Sequence, residues 1–182
     1  MVSGDRHHAE ALCGELAEVL SKVGLRLSEE KTKIVHIGEG FEFLGFRIRR
    51  QRKQGSNKSY VYTWPSKKAL ASVMAKIRQI SKQGTSQSLA DLLRQINPVL
   101  RGWTNYFQYG VSKATFGYLQ HFTWMRVVKW MRRKHHRSSW NSFRSRHMGN
   151  KWLIADDGVI LFDPREVSVT RYRYRGSKIP SL

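Results

Sequence analysis

Two adjacent carboxylates, Asp156 and Asp157, are the side chains whose type and spacing most directly suggest catalysis. Paired aspartates can hold the divalent ions that neutralise phosphate charge during phosphoryl transfer. However, this pair is followed by Gly158 and lies between two short apolar runs, 152–154 and 159–162. An Asp-Gly dipeptide between such runs is typical of a tight β-hairpin turn. We therefore interpret the pair as part of a turn and predict no catalytic role for it.

A second group with possible chemistry comprises His135, His136 and His147 together with Asn141. Imidazoles can bind the metal ion of a nuclease, but the sequence supplies no cysteines beside them, and the carboxylates nearby in sequence are the turn aspartates. The first two histidines stand within a run of lysine and arginine from 132 to 137. Contacts with phosphates or bases explain these histidines better than binding of a metal ion does, so we predict no metal site.

Lysine and arginine dominate the charged residues, with 33 of them against 13 acidic residues and a formal net charge of +20. Residues 1–45 carry five basic and eight acidic side chains, whereas the other 137 residues carry 28 and five. Between Glu42 and Asp156 the only acid is Asp91, against 23 basic residues. A merely solvated surface mixes both signs, so this imbalance predicts a polyanionic partner, with nucleic acid first and an anionic membrane surface second.

Several classes of protein are excluded by composition. The single Cys13 rules out a disulfide framework and a cysteine-based zinc cluster within one chain. No apolar run approaches the roughly 18 residues that span a bilayer, and charged residues interrupt the start of the chain where a signal peptide would be apolar. We therefore expect a cytoplasmic protein without a membrane partner, and 182 residues suffice for one domain or two small ones.

The hydrophobic pattern predicts an α+β fold in three successive regions. A helix over 5–23 is followed by strands over 32–37, 41–49 and 60–63. Ser66 caps a helix ending near Gly84, a second helix runs from 89 to 107 with an interruption at Asn97-Pro98, and a third spans 112–133. A short helix around Trp140 and Phe143, the hairpin over 152–162 and an alternating Arg-Tyr tail over 171–175 complete the pattern.

The first motif with a known counterpart lies in the amino-terminal region. The segment Glu30-Lys31-Thr32 resembles the reverse-transcriptase motif that places a lysine near the phosphates of the incoming nucleotide. It is followed by Phe43-Leu44-Gly45-Phe46, which resembles the hairpin that grips the primer end. In this order and spacing, the two motifs resemble the end of a reverse-transcriptase palm.

The second motif is Leu100-Arg101-Gly102-Trp103-Thr104-Asn105-Tyr106-Phe107. It closely resembles the signature of the maturase-specific (X, or thumb) domain of group II intron-encoded reverse transcriptases. The tail from Arg171 to Pro180 also resembles the ends of some such proteins. The resemblance implies a short helix and hairpin remnant of a polymerase palm over 1–63, a thumb-like helical domain over 64–150, and a β-hairpin and basic tail over 151–182.

The resemblance and the charge pattern together give two sets of candidate site residues. The vestigial polymerase motif comprises Lys31, Phe43, Leu44, Gly45 and Phe46. The candidate RNA-binding residues are Arg47, Arg49, Arg50, Arg52, Lys53, Arg101, Trp103, Asn105, Tyr106, Lys129, Arg132, Arg133, Lys134 and Arg137. Exposed aromatic side chains stack on unpaired bases, and the candidates for stacking are Tyr106, Tyr109, Trp130 and Trp140.

The function that the resemblance implies is binding of structured RNA, in particular group II intron RNA, to assist splicing and mobility, with a DNA target as a further partner. In that family, polymerase metal ions are held by a Tyr-Ala-Asp-Asp motif just upstream of a segment like 1–14, and this sequence lacks it. We therefore expect no catalysis from this chain alone and no cofactor in it, although Mg²⁺ is implied for the full-length family. The alternatives are reverse transcription with the missing palm supplied upstream or in trans, and non-specific nucleic-acid binding.

Overall fold

The computed structural model describes residues 4–136, 153–170 and 174–175, the last two by their backbone alone. Four helices and six short strands form in this part of the chain, which confirms the α+β prediction. The helices are α1 (Arg6–Lys22), α2 (Lys67–Lys82), α3 (Leu89–Phe107) and α4 (Lys113–Lys134), and a 3-10 helix covers Pro164–Glu166. The strands are β1 (Phe41–Phe43), β2 (Phe46–Arg52), β3 (Ser59–Pro65), β4 (Ala155–Asp156), β5 (Val159–Ile160) and β6 (Tyr174–Arg175). None of the described helices is long and apolar enough to cross a membrane.

The chain divides into two compact units. The first comprises Met1–Thr63 and Arg173–Leu182, and the second comprises Trp64–Tyr172. The three domains expected from the sequence, with limits after residues 63 and 150, remain predictions. The predicted short helix around Trp140 and Phe143 lies outside the described residues.

The first unit contains α1 and a four-stranded sheet with the order β1-β2-β3-β6. Helix α1 has no buried residue, and its apolar side chains Leu12, Leu16 and Val19 are exposed. Gly24 follows the helix with a positive φ of 75°, a conformation that favours glycine and ends the helical path. The helix therefore forms as expected but has little packing to stabilise it.

Two strand predictions in this unit are wrong. Residues 32–37 form no strand, and the structure pairs them with none of the four strands of the sheet. One backbone hydrogen bond, from Arg50 N–H to the carbonyl of Ile37 (2.9 Å), ties the end of this segment to the sheet. The predicted continuous strand over 41–49 is instead a hairpin, because Leu44 and Gly45 both have positive φ (48° and 79°) and reverse the chain between β1 and β2.

The second unit is built on three mutually packed helices. Helix α2 packs against both α3 and α4, while β4 and β5 pack against α3. The Ser66 hydroxyl accepts a hydrogen bond from Ala69 N–H (3.1 Å), as the sequence predicted, and Ser88 with Asp91 forms a reciprocal capping box at the start of α3. The core consists of Val73, Met74, Ile77, Ile80, Leu89, Leu92, Leu93, Ile96, Leu100, Leu119, Val127, Val128, Trp130, Met131, Ile154 and Leu161.

Helix α3 continues through Pro98, so the predicted interruption is wrong. Asn97 does not cap a new helix. Its Nδ2 donates to the carbonyl of Ile160 (2.8 Å) and its Oδ1 accepts from Phe162 N–H (2.9 Å). The side-chain amide of Asn97 thus binds one backbone carbonyl and one backbone N–H group of residues 160–162 and fixes this segment against α3.

The predicted hairpin forms, with β4 and β5 paired antiparallel, although its first strand is Ala155–Asp156 instead of 152–154. Asp157 and Gly158 have positive φ values of 47° and 71°, as a type I′ turn requires. Asp156 accepts from Ala90 N–H (3.1 Å) at the start of α3, and Asp157 pairs with Arg94 (3.2 Å). The two carboxylates therefore hold the hairpin to α3.

Amide hydrogen exchange should distinguish the first helix from the third. We expect the amides of Leu89–Phe107 to be much better protected than those of α1, because α3 buries eight residues and α1 buries none. Exchange followed by mass spectrometry on the dilute protein measures the difference. Equal protection would contradict the description of α1 as a poorly packed helix.

Replacing Asn97 by Ala should destabilise the second unit by about 1–3 kcal/mol, because two backbone groups of the 160–162 segment lose their partners. Urea unfolding followed by circular dichroism measures the change. Gln79→Ala on the exposed face of α2 is the control and should change stability by less than about 0.5 kcal/mol. An N97A variant as stable as the control would refute the proposed role of the amide.

Candidate nucleic-acid interface

The basic residues of β2 contact backbone carbonyls within their own unit. Arg47 Nη2 donates to the carbonyl of Glu39 (2.7 Å), and Arg49 Nε donates to that of Gly38 (2.7 Å). These bonds fix the turn before β1. Gly40 in the same turn has a positive φ of 78°, and a Cβ there would lie 2.7 Å from the carbonyl oxygen of Ile48. Both arginines therefore have a structural role beside any contact with RNA.

The rest of this basic segment surrounds the loop between β2 and β3. Arg52 Nε donates to the carbonyl of Ser56 (3.0 Å), and its Nη2 donates to Asn57 Oδ1. Lys53 is exposed, while Arg50 is half-buried. The loop is thus held by a guanidinium group and presents lysine and arginine side chains to solvent.

The five residues of the vestigial polymerase motif lie at two places in the first unit. Lys31 is an exposed turn residue. The other four form the tip of the β1–β2 hairpin, where Phe43 is 59% and Leu44 is 68% exposed while Gly45 and Phe46 are half-buried. The tip is an apolar projection, which suits contact with another surface better than charge-based binding.

Half of the Leu100–Phe107 motif packs inside the second unit, where Leu100, Thr104 and Phe107 are buried and Trp103 is half-buried. The Trp103 ring lies 4.5 Å from the ring of Phe107 and 6.0 Å from that of Phe116, measured between centroids. The Arg101 guanidinium lies 4.6 Å from the centroid of the Phe162 ring. One face of the motif therefore packs within the unit through Trp103 and Phe107, while Arg101 is exposed and its guanidinium group contacts the Phe162 ring.

The exposed members of the region are few. Asn105 is exposed, and Tyr106 and Tyr109 are each 49% exposed, so both tyrosines remain candidates for stacking on a base. Trp130 is not such a candidate, because it is completely buried in the core. Trp140 lies outside the described residues.

The carboxyl end of α4 combines exposed and bonded cations. Lys134 Nζ donates to the carbonyls of Thr85 (3.0 Å) and Gln87 (2.5 Å), in the loop between α2 and α3. Arg133 Nη2 donates to the carbonyl of Ser81 (2.5 Å). Lys129 and Arg132 are exposed, and Arg137 lies outside the described residues. The basic run therefore does not simply face solvent. Arg133 binds the end of α2, and Lys134 binds the loop between α2 and α3.

A cluster of three arginines forms around Ser81, and we call Arg78, Arg126 and Arg133 the Ser81 cluster. Arg133 is among the candidate RNA-binding residues named from the sequence, whereas the other two were missed there. Arg126 donates from both Nε and Nη2 to the Ser81 hydroxyl (3.0 Å each). That hydroxyl donates to the carbonyl of Arg78 (3.2 Å), whose guanidinium lies 5.0 Å from the centroid of the Phe122 ring. Burial, and then the charges of Arg133 and Arg78, lower the pKa of Arg126 from its ordinary value.

No described carboxylate pairs with any guanidinium group of the Ser81 cluster. The nearest acids in sequence are Asp91, which pairs with Arg94, and Asp156, which accepts a hydrogen bond from Ala90 N–H. Three like charges without a counter-ion repel one another, so the cluster favours an anion. Arg126 and Arg133, with Lys129 between them, recur at helical spacing on α4, and this spacing is the signal by which the sequence could have revealed the surface.

The described part of the chain can be compared with the arrangement that a metal ion requires. No group of three or more histidine, cysteine, aspartate or glutamate side chains there is arranged to hold a metal ion. Asp156 and Asp157 are engaged with α3, as described above. The sites that the described residues do form consist of cations and aromatic rings.

Two comparisons with known proteins show what this chain is similar to. Residues 70–152 match the family model described as "Group II intron, maturase-specific domain". A segment of 70 residues, 38% of this chain, is 40% identical to "Protein YkfC" of Escherichia coli (strain K12). The chain matches 18% of the length of that relative.

The matched segment contains α2 after its first turn, all of α3 and α4, and therefore both the Leu100–Phe107 motif and the Ser81 cluster. Residues 70–152, which make up most of the second unit, are thus similar to the maturase-specific domain of group II introns. The resemblance of this chain to the carboxy-terminal part of group II intron maturases and reverse transcriptases is confirmed.

Replacing Lys134 by Met should reveal its structural role. The change keeps most of the aliphatic stem but removes two charge-assisted hydrogen bonds to the α2–α3 loop, so we expect a loss of about 1–2 kcal/mol in stability. Lys129→Met removes the same charge at an exposed position and should be nearly neutral. Urea midpoints measured in parallel compare the two variants, and equal midpoints would contradict this role.

Proposed function

We propose that this chain binds group II intron RNA and assists the folding of that RNA for splicing and mobility. The match to the maturase-specific domain supports a maturase-type role, and association with intron RNA follows from such a role in general. The finer parts of the proposal, direct RNA contact and assistance to splicing, rest on the charge and geometry of the second unit.

The Ser81 cluster is the observation that carries the proposal. Its three guanidinium groups are held in fixed positions by Ser81 and Phe122, and no described carboxylate neutralises them. Arginine side chains fixed in this way are well suited to phosphate oxygens, because the guanidinium group presents several N–H donors in one plane. A structural role alone does not require three cations without a counter-ion.

The physics of structured RNA fits this surface. Double-helical RNA is recognised mostly through its shape, its phosphates and its 2′-hydroxyl groups, while unpaired bases stack on aromatic side chains. Arg78, Arg126, Lys129 and Arg133 supply cations from two packed helices, and Tyr106 and Tyr109 supply exposed rings. The chemical steps of splicing belong to the RNA, so the protein needs only to bind and to stabilise the folded form.

Two other functions share part of this evidence. A polymerase needs carboxylates to hold Mg²⁺ at the transferring phosphate, so under our proposal reverse transcription requires a palm supplied upstream or in trans. A non-specific nucleic-acid-binding protein shares the positive charge, but the charge alone does not account for the maturase-specific segment. The proposal therefore favours selective RNA binding over both.

Binding measured by fluorescence anisotropy at several salt concentrations tests the proposal. If about six phosphates are neutralised, the plot of log affinity against log salt should have a slope near −4 for intron RNA. The double variant R78Q/K129Q should flatten this slope by about 1–2 units, because counterions are released only where a cation meets a phosphate. Both residues are exposed, and circular dichroism checks that the variant is folded.

The matched control is R26Q/K33Q, which removes two exposed positive charges from the first unit. We expect its slope to stay within about half a unit of that of the unchanged protein. An unchanged slope in folded R78Q/K129Q would refute the proposed surface. Equal affinity for intron RNA and for an unrelated structured RNA of the same length would instead favour the non-specific function.

A further inference from the structure

A cleft of about 360 Å³ opens in the second unit between α4 and the segment that carries the β4–β5 hairpin. We call it the α4 cleft. Its helical wall consists of Gly117, Gln120, His121 and Trp124, and Leu153 and Leu161 lie opposite. This volume lies at the lower end of the range for ligand sites, and the lining combines apolar surface with a few polar groups, as such sites do.

Gly117 is the first feature of the cleft that the fold does not explain. It lies inside α4, where glycine costs about 1 kcal/mol relative to alanine because it leaves the backbone more freedom in the unfolded chain. A Cβ at this position would meet no described atom within 4 Å, and its φ is not positive. Neither close packing nor backbone geometry requires the glycine, but its absent side chain leaves the cleft open.

The second feature is the amide of Gln120. Its Oε1 is buried, and no described group donates a hydrogen bond to it. A buried acceptor without a donor is destabilising unless something else supplies that donor. Because Gln120 lines the cleft, a ligand that carries an N–H group can supply it.

The third feature is that both apolar side chains and an ion pair surround this acceptor. Leu161 is buried and Leu153 is partly exposed, and with Trp124 they provide apolar contact. The ion pair between Asp163 and Arg165 (2.7 Å) lies at the edge of the same cleft. Burial raises the pKa of Asp163, but hydrogen bonds from Arg165 and its charge outweigh that effect, so the net pKa is lowered and the carboxylate stays charged.

We propose that the α4 cleft binds one unpaired RNA nucleotide, whose base lies against Trp124 and the leucines and donates its exocyclic amine to Gln120 Oε1. The bases that carry such an amine are adenine, cytosine and guanine, whereas uracil carries none. The cationic character of the whole chain selects RNA among the ligands that have a flat, partly apolar ring with an N–H donor. This inference rests on the proposed function and adds to it a preference for unpaired nucleotides.

The test compares a fully paired RNA duplex with the same duplex containing one bulged nucleotide. We expect the full chain to bind a duplex with a bulged A, C or G about tenfold more tightly than the paired duplex, since contact of one base with an aromatic surface is worth that order of affinity. A bulged U should gain less, because it offers Gln120 Oε1 only its ring N3–H, which lies between two carbonyl oxygens, in place of an exocyclic amine. Fluorescence anisotropy at fixed salt measures all five affinities.

Two variants of Gly117 test whether the gain arises in the cleft. Gly117→Ala and Gly117→Leu should raise the melting temperature or leave it unchanged, because a Cβ at this position meets no described atom within 4 Å and both residues favour the helix over glycine. The Leu variant should lose the tenfold preference for the bulge and keep its affinity for the paired duplex within twofold. Gly14→Leu in α1 is the matched control, since a Cβ there also meets no described atom, and it should keep the preference.

Gln120→Met separates ligand binding from a structural role. It removes the buried acceptor that lacks a donor, so the variant should be at least as stable as the unchanged protein, yet it should bind bulged A, C and G no better than bulged U. A role confined to the fold would change stability and binding in the same direction.

The outcomes distinguish this inference from the proposed function. Binding of the paired duplex with the expected salt dependence, but without any preference for a bulge, overturns the α4 cleft and leaves the phosphate surface intact. A preference that persists in folded Gly117→Leu also overturns it. Failure to bind either RNA overturns the proposed function itself.

Discussion

The scarcity of carboxylates is the constraint on which this structure depends. With 33 lysine and arginine side chains against 13 acids, most cations cannot find an ionic partner within the chain. Many of them instead donate to backbone carbonyls, as Arg47 does before β1, Lys113 after the 3-10 helix and Lys134 in the α2–α3 loop. A carbonyl fixes the position of a cation without cancelling its charge. The fold is thereby held together by groups that keep their attraction for a polyanion.

The helical core makes this arrangement possible. Ile77, Leu93 and Ile96 are fully removed from water, and burial of this kind is the main favourable contribution to folding. The core fixes the separation of α2 and α4. The guanidinium groups of Arg126 and Arg133 therefore reach Ser81 without any further ordering of the backbone. Like charges are brought together by packing, and their repulsion is offset by the stability of the core.

The same helices have two kinds of surface. Where α2 meets α4, cations cluster around Ser81, and under the proposed function electrostatic attraction to phosphates is the dominant physical effect there. On the α4 face that carries Gly117 and Gln120, the surface is largely apolar with one unsatisfied acceptor, and shape and hydrogen bonding dominate. The two proposals use both properties, since phosphates provide affinity for any RNA and unpaired bases distinguish one fold of RNA from another.

The amino-acid sequence by itself determined the class of the fold, the four helices of the described region and the family, because these depend on local periodicity, capping residues and a contiguous motif. The turn at Asp157-Gly158 was likewise predictable from its residue types. Tertiary structure decided the rest. Residues 32–37 have the composition of a strand but are joined to β2 by a backbone hydrogen bond from Arg50 to Ile37 instead of a strand pairing. Asn97 binds the backbone of residues 160–162 instead of capping a helix, and Lys134 binds carbonyls far away in sequence. The Ser81 cluster and the α4 cleft depend on which side chains meet across packed helices, and a linear pattern does not contain that information.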